Sequence, residues 1–179
     1  MTRAVLSLGS NLGDRLAHLR AAVAGLGDAV LALSTVYETA PWGDADQPSY
    51  LNAAVLVADD VPARDWLRRA AALEDAAGRI RDPHRRFGPR SLDVDVLAVW
   101  ADDGEPVFSD DPELTLPHPR AHLRAFVLRP WLDLQPYGQV PGHGSLTALL
   151  RTGPAAVDLE GVVARPDLDL AAPAVDDRG

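Results

Sequence analysis

The chain has 179 residues, 17 basic and 26 acidic side chains, and a formal charge of −9. That balance excludes a general nucleic-acid-binding surface, which needs a broad basic face. The chain has no cysteine and no lysine, which excludes disulfides, thiolate chemistry, cysteine-ligated zinc, Schiff-base lysines and a P-loop lysine. Apolar content of 47% and charged content of 24% suit a globular domain with a proper core. No run reads as a signal peptide or a membrane span, so a cytoplasmic location is expected.

In chain order, Ala4-Val5-Leu6-Ser7-Leu8 predicts a strand ending at Gly9-Ser10-Asn11. A helix follows, with Leu16, Leu19, Val23 and Leu26 at helical spacing and Gly27 after its end. Residues 30–38 predict a second strand, and Tyr50 to Ala58 a third after a Gly/Pro-marked loop. Pro62 suits the first turn of the next helix, whose apolar stripe is Leu67, Ala70, Leu73 and Ala77. A last core strand runs to about Trp100, then an Asp103-Gly104 turn leads to a short strand near Val107. Short helices are expected around 120–133 and 145–151. The order β-α-β-β-α-β predicts an α+β, ferredoxin-like core, an antiparallel sheet with helices packed on it and extra short C-terminal helices. The expected division is a catalytic domain over 1–157 and a disordered, acidic, Ala/Pro-rich tail over 158–179, where six acids face two arginines.

The most informative stretch is Arg90-Ser91-Leu92-Asp93-Val94-Asp95-Val96-Leu97. Side chains alternate across a strand, so Asp93 and Asp95 share one face while Leu92, Val94 and Val96 share the other. Two carboxylates roughly 6–7 Å apart on that spacing repel by about 2–3 kcal/mol at an effective dielectric near 20. Arginines or a divalent cation must compensate, and paired oxygen ligands beside phosphates suit Mg²⁺. A strand end with two solvated acids is the alternative. Upstream, Arg79, Arg81, Arg85, Arg86 and Arg90 fall within twelve residues that also hold Pro83, Gly88 and Pro89. That loop carries +4 in a chain of −9, leaving −13 elsewhere. Guanidinium groups bind phosphate oxygens bidentately, so the pairing points to a metal-bound polyphosphate rather than a solvated arginine face.

Other positions carry weaker signals. Gly9-Ser10-Asn11-Leu12-Gly13 matches neither a P-loop nor a dinucleotide fingerprint and reads as a tight turn with helix capping. Tyr50 and Asn52 share a strand face and either lie exposed or floor a pocket for a flat heterocycle. His118, bracketed by Pro117 and Pro119, either satisfies a turn or contacts phosphate.

Together these stretches resemble the 6-hydroxymethyl-7,8-dihydropterin pyrophosphokinases of folate biosynthesis. The matching pieces are Leu8-Gly9-Ser10-Asn11-Leu12-Gly13-Asp14, Tyr37-Glu38-Thr39, Gln47-Pro48-Ser49-Tyr50-Leu51-Asn52-Ala53 and Gly78-Arg79-Ile80-Arg81. They continue with Phe87-Gly88-Pro89-Arg90-Ser91-Leu92-Asp93-Val94-Asp95, Pro117-His118-Pro119 and Arg124-Ala125-Phe126-Val127-Leu128. The resemblance implies transfer of pyrophosphate from ATP to the pterin hydroxymethyl group, releasing AMP. It implies two Mg²⁺ ions on Asp93 and Asp95, and Arg79 and Arg90 as catalytic cations supported by Arg81. The nucleotide would meet Glu74, Val96, Leu114, Thr115, His118 and Arg124. The pterin would lie between Tyr50 and Phe126, read by Asn52 and Thr39, with Ala40 and Trp42 assisting through their backbones. A monomer acting on small molecules, without nucleic acid or membrane, is expected. Ala40, Trp42, Ala71 and Phe87 depart from the usual family pattern. The competing classes are another metal-dependent nucleotidyltransferase and a non-enzymatic small-molecule-binding module.

Overall fold

The computed structural model describes residues 1–41, 46–78, 83–84 and 90–171. Its core strands are β1 (Thr2–Ser10), β2 (Val30–Leu33), β3 (Tyr37–Thr39), β4 (Tyr50–Asp59) and β5 (Asp93–Trp100). Two helices, α1 (Arg15–Leu26) and α2 (Ala63–Ala76), connect them. Asp14 caps α1 by accepting from the Ala17 amide at 3.0 Å, and Gly27, at φ 56°, ends it.

After β5 come β6 (Ser109–Asp111), β7 (Leu114–Leu116), α3 (Ala125–Leu134), β8 (Gln139–Val140), β9 (Gly144–Ser145) and α4 (Leu146–Thr152). A final strand, β10 (Val163–Ala164), returns to the main sheet. That sheet has the order β10-β3-β4-β1-β5, with β2 also on β4, and every pairing is antiparallel. It is an α+β architecture.

The two faces of the sheet are covered separately. On one, Leu6, Leu8, Leu51, Ala53, Val55, Val94 and Val96 pack with Leu19 of α1 and Trp66 of α2. On the other, Val5, Ala54 and Ala98 pack with Val127, Leu128 and Trp131 of α3 and Leu146 of α4. The alternation expected for β4 and β5 is therefore present, and it turns Asp93 and Asp95 toward the α3 side. Among the described residues no helix is long and apolar enough to cross a membrane.

Three expectations differ from the structure. Residues 30–38 form two strands, because at Ser34 the side chain replaces half of the ladder: the Ser34 amide still donates to the Ala54 carbonyl at 3.0 Å, but the Ala54 amide donates to Ser34 Oγ at 2.8 Å, and that hydroxyl donates to the Thr35 carbonyl. The strand expected near Val107 is an isolated Trp100–Pro106 bridge, with regular pairing only from Ser109. The tail is ordered in its first part. Residues 154–161 form a 3₁₀ helix, β10 pairs with β3, and Leu170 is buried in the core. Burial of Leu168 and Leu170 supplies what the acidic composition concealed. Residues 172–179 lie outside the described residues.

Candidate active site

A cavity of about 260 Å³ opens on the α3 side of the sheet, at the end where β1 finishes, β4 starts and β5 starts. Register explains what meets there. Gly9 of β1 lies between Asn52 of β4 and Asp93 of β5, while Ser7 pairs with Ala54 on one side and Asp95 on the other. Strand β3 adds Thr39, opposite Tyr50. From beyond the sheet come His118 and Arg120, then Arg124 and Phe126 at the start of α3.

One half of the cavity is an aromatic slot with a polar floor. Asn52 is buried and donates Nδ2 to Thr39 Oγ1 at 2.7 Å, which holds its amide in one orientation. Gly9 is required beneath it: a Cβ there would stand 3.0 Å from Asn52 Oδ1 and 3.5 Å from the Tyr50 ring. Phe126 faces this region, with the Arg124 guanidinium 5.7 Å from its ring centre.

The other half is charged. Asp93 pairs with Arg90 Nη1 at 3.0 Å, so part of the carboxylate repulsion is offset by arginine. Asp95 lies 3.9 Å from His118 Nε2. The His118 ring accepts at Nδ1 from the Arg120 amide at 3.1 Å, while its own amide donates to the Leu97 carbonyl at 2.8 Å. Burial first, then the Arg124 charge, push the His118 pKa down to about 4. The neutral ring with Nδ1 as acceptor carries its proton on Nε2, toward the acids. Burial also lowers Arg124, which Asp95 opposes, but a guanidinium remains a cation. Three arginines and two aspartates thus surround a space suited to an anion that brings its own counter-cation.

Asn11 joins the surrounding segments. It is 1% exposed, donates to Gln47 Oε1 at 2.8 Å and to the Pro48 carbonyl at 3.1 Å, and exchanges two hydrogen bonds with the Arg90 backbone. The loop before β4 and the residue before β5 are therefore held through one buried amide.

Residues 5–136 match the family model described as 7,8-dihydro-6-hydroxymethylpterin-pyrophosphokinase (HPPK). The chain belongs to the HPPK family. Curated relatives named 2-amino-4-hydroxy-6-hydroxymethyldihydropteridine pyrophosphokinase agree. The Mycobacterium tuberculosis protein is 53% identical over 150 residues, covering 80% of this chain and 78% of the relative. The Mycobacterium leprae protein is 56% identical over 138 residues (74% and 71%). The Methylorubrum extorquens protein is 41% identical over 162 residues (88% and 98%).

Among solved structures, an HPPK-DHPS in complex with substrates superposes with TM-score 0.59 at 11% identity, over 84% of this chain and 43% of that one. A Plasmodium falciparum HPPK-DHPS triple mutant gives 0.61 at 13% identity, over 90% and 46%. The chain spans less than half of those two proteins, and the likeness is one of fold.

Of the HPPK-type residues expected from sequence, Thr39, Ala40, Tyr50, Asn52, Arg90, Asp93, Asp95, His118, Arg124 and Phe126 line the one cavity. Glu74, Val96, Leu114 and Thr115 do not line it. Val96 and Leu114 are buried in the core on the α1–α2 side of the sheet. Glu74 is 5% exposed and accepts from the Val94 amide at 3.3 Å, and Thr115 Oγ1 donates to the Asp111 carbonyl. Because β5 ends the sheet, these four stand around its edge from the aspartates. Trp42, Arg79 and Arg81 lie outside the described residues. Sequence reasoning passed over Ser7, Gly9, Pro119 and Arg120 as lining residues, and Gly9, expected in a tight turn, is part of strand β1. Of the other three, Arg120 alone had a signal, one residue beyond the proline-bracketed histidine.

Proposed function

We propose that this site transfers the pyrophosphoryl group of ATP to the hydroxymethyl oxygen of 6-hydroxymethyl-7,8-dihydropterin and releases AMP, a step of folate biosynthesis. The observation that carries the reading is the junction, in one cavity, of an aromatic slot floored by Asn52 and Thr39 with a paired-aspartate, three-arginine pole. Family membership supplies the reaction class. The strand order β5-β1-β4-β2, all antiparallel, supports a ferredoxin-like description of the scaffold.

The pterin stacks between Tyr50 and Phe126. The Asn52 amide, with one N–H committed to Thr39, offers its second N–H and its oxygen to the heterocycle edge. Asp93 and Asp95 fit Mg²⁺, since both present hard oxygen donors on a strand. Among the described residues no group of three or more His, Cys, Asp or Glu side chains is placed to hold a metal. The protein would thus share each ion with phosphate and water, the usual Mg²⁺ arrangement. When bound, two such ions neutralise the triphosphate and lower the barrier to attack at its β-phosphorus.

The chain's own groups position and stabilise. Arg90, Arg120 and Arg124 donate to phosphate oxygens, and His118 Nε2–H adds a neutral donor. The pterin oxygen bonds to the β-phosphorus and gives up its hydroxyl proton to solvent as the α–β bridging oxygen departs with AMP, and alignment of the two oxygens supplies most of the acceleration. Val96, Leu114, Thr115 and Glu74 would receive the nucleoside end around the β5 edge, and Arg79 and Arg81 would add charge-assisted donors to the phosphates.

The test is product analysis with ATP and Mg²⁺, with and without the pterin. Pterin-dependent AMP supports the reading. Release of pyrophosphate indicates attack at the α-phosphorus by a nucleotidyltransferase, and binding without turnover indicates a binding module.

A further inference from the structure

The family match ends at residue 136, yet the chain continues in structured form to residue 171 and returns to the pterin side of the molecule. Strand β10 pairs Val163 with Glu38 and Ala164 with Tyr37, and the Arg165 amide donates to the Val36 carbonyl at 2.8 Å. Farther on, Arg20 Nε donates to the Asp169 carbonyl at 2.8 Å, and Leu168 and Leu170 enter the core on the α1 face.

Glu38 is the centre of this arrangement. It stands between Tyr37 and Thr39 on β3, so it faces the side of the sheet opposite to Thr39. Its Oε2 accepts from Arg15 Nη1 at 2.7 Å and its Oε1 from Arg165 Nη1 at 3.3 Å. The same Arg15 Nη1 donates to the Ser49 carbonyl at 3.0 Å. Glu38 and Ser49 immediately precede Thr39 and Tyr50, a cross-strand pair that lines the cavity. Arg15 therefore ties the two strand ends that present these side chains, and Arg165 braces the carboxylate it pulls on. Arg165 is itself held by a fork on Asp167, at 3.0 and 2.9 Å.

We propose that residues 163–171 are a positioning strap for the pterin half of the site, acting through Arg165, Glu38 and Arg15. With β10 in place, β3 is an inner strand; without it, β3 is a three-residue edge strand whose amides on that side face water. The pairings, ion pair and hydrogen bonds of the strap given above fall on Val36, β3, Arg20 of α1 and the α1-side core, on the far side of the slot from the charged pole. The strap therefore governs how firmly the heterocycle is gripped and leaves the polyphosphate end unaffected. These three are positioning residues, and the inference rests on the pterin reading of the slot.

The experiment compares Arg165→Met and Arg165→Lys with the unsubstituted full-length protein by steady-state kinetics, with hydrogen exchange at residues 36–40 as a second readout. Arg165→Met keeps the β10 backbone and removes the charge. It raises the pterin KM about fivefold, the upper range for a half-exposed ion pair, with kcat and the ATP KM unchanged within about twofold. Exchange at residues 36–40 speeds up, and Arg165→Lys restores most of the pterin KM. The strap is overturned by an unchanged pterin KM, by an ATP KM that rises in parallel, or by a lysine variant as impaired as the methionine one. Absence of AMP formation by the unsubstituted protein would instead sink the reading of function, so the two failures are separable.

Discussion

Gly9→Ala tests the slot with a single carbon. The β1 backbone at Gly9 has no positive φ, so alanine adds no backbone strain there. The effect is steric. The new methyl would stand 3.0 Å from Asn52 Oδ1, a few tenths of an ångström inside ordinary contact. Asn52 cannot retreat freely, because its amide is fixed to Thr39 at 2.7 Å and its backbone is paired with Gly9 and Tyr37. Overpacking of a tight site costs about 1–3 kcal/mol. Where that cost falls on the pterin-competent position of Asn52, it corresponds to an increase in pterin KM of about 5- to 160-fold. The part borne by the free protein lowers Tm by about 2–4 °C per kcal/mol. The ATP KM stays within about twofold, since the charged pole is reached from β5 and the segment before α3. Kinetics with each substrate varied in turn, plus a thermal scan, decide it. A variant with unchanged pterin KM and unchanged Tm would refute the packing argument.

Three further outcomes follow from the geometry. Asp95→Asn lowers AMP formation on the order of a thousandfold or more, because phosphate charge is no longer neutralised; residual turnover above a tenth of wild type would contradict the metal role. Asn11→Ala removes the bonds that join Gln47, Pro48 and Arg90 and lowers kcat/KM about tenfold or more, with faster hydrogen exchange at both segments; protection unchanged at either would contradict it. Burial first, then the Asp133 carboxylate, push the Tyr37 phenol up to about 12. The folded state thus favours the neutral phenol. Its contribution to stability is fully present below the ordinary tyrosine pKa of about 10 and is lost as pH rises through about 12. An ultraviolet titration should show one of the three tyrosines ionising last, a step that Tyr37→Phe abolishes.

The alternation in β4 and β5 was legible because each strand has one aliphatic face and one chemically distinct face, and a period of two survives any tertiary context. The pairing of the acids with nearby arginine was legible in part: Arg90 does reach Asp93. In the β1–β5 pairing Val5 faces Ala98 but Leu6 faces Val96, and that register shift was not legible, because Leu97 and Ala98 are both buried and hydrophobicity alone does not mark it. Asn11 was invisible as a link, since its partners lie 36, 37 and 79 residues away and an asparagine in a turn has an adequate local explanation. The ordered part of the tail was hidden by averaging. Six acids dominate the composition, while Leu168 and Leu170, two residues apart, anchor it to the core.

The double pairing of Gly9, with Asn52 on one flank and Asp93 on the other, turns the sheet into a ruler. The Asn52 side and the Asp93 side of the cavity are separated by two interstrand steps, about 9.5 Å, a length set by main-chain hydrogen bonding and not by any surface segment. Exchange of the surrounding loops can retune which ring system is admitted while the reach between the reactants stays constant. A bulge or an insertion in β1, β4 or β5 between these positions is what would change that gauge.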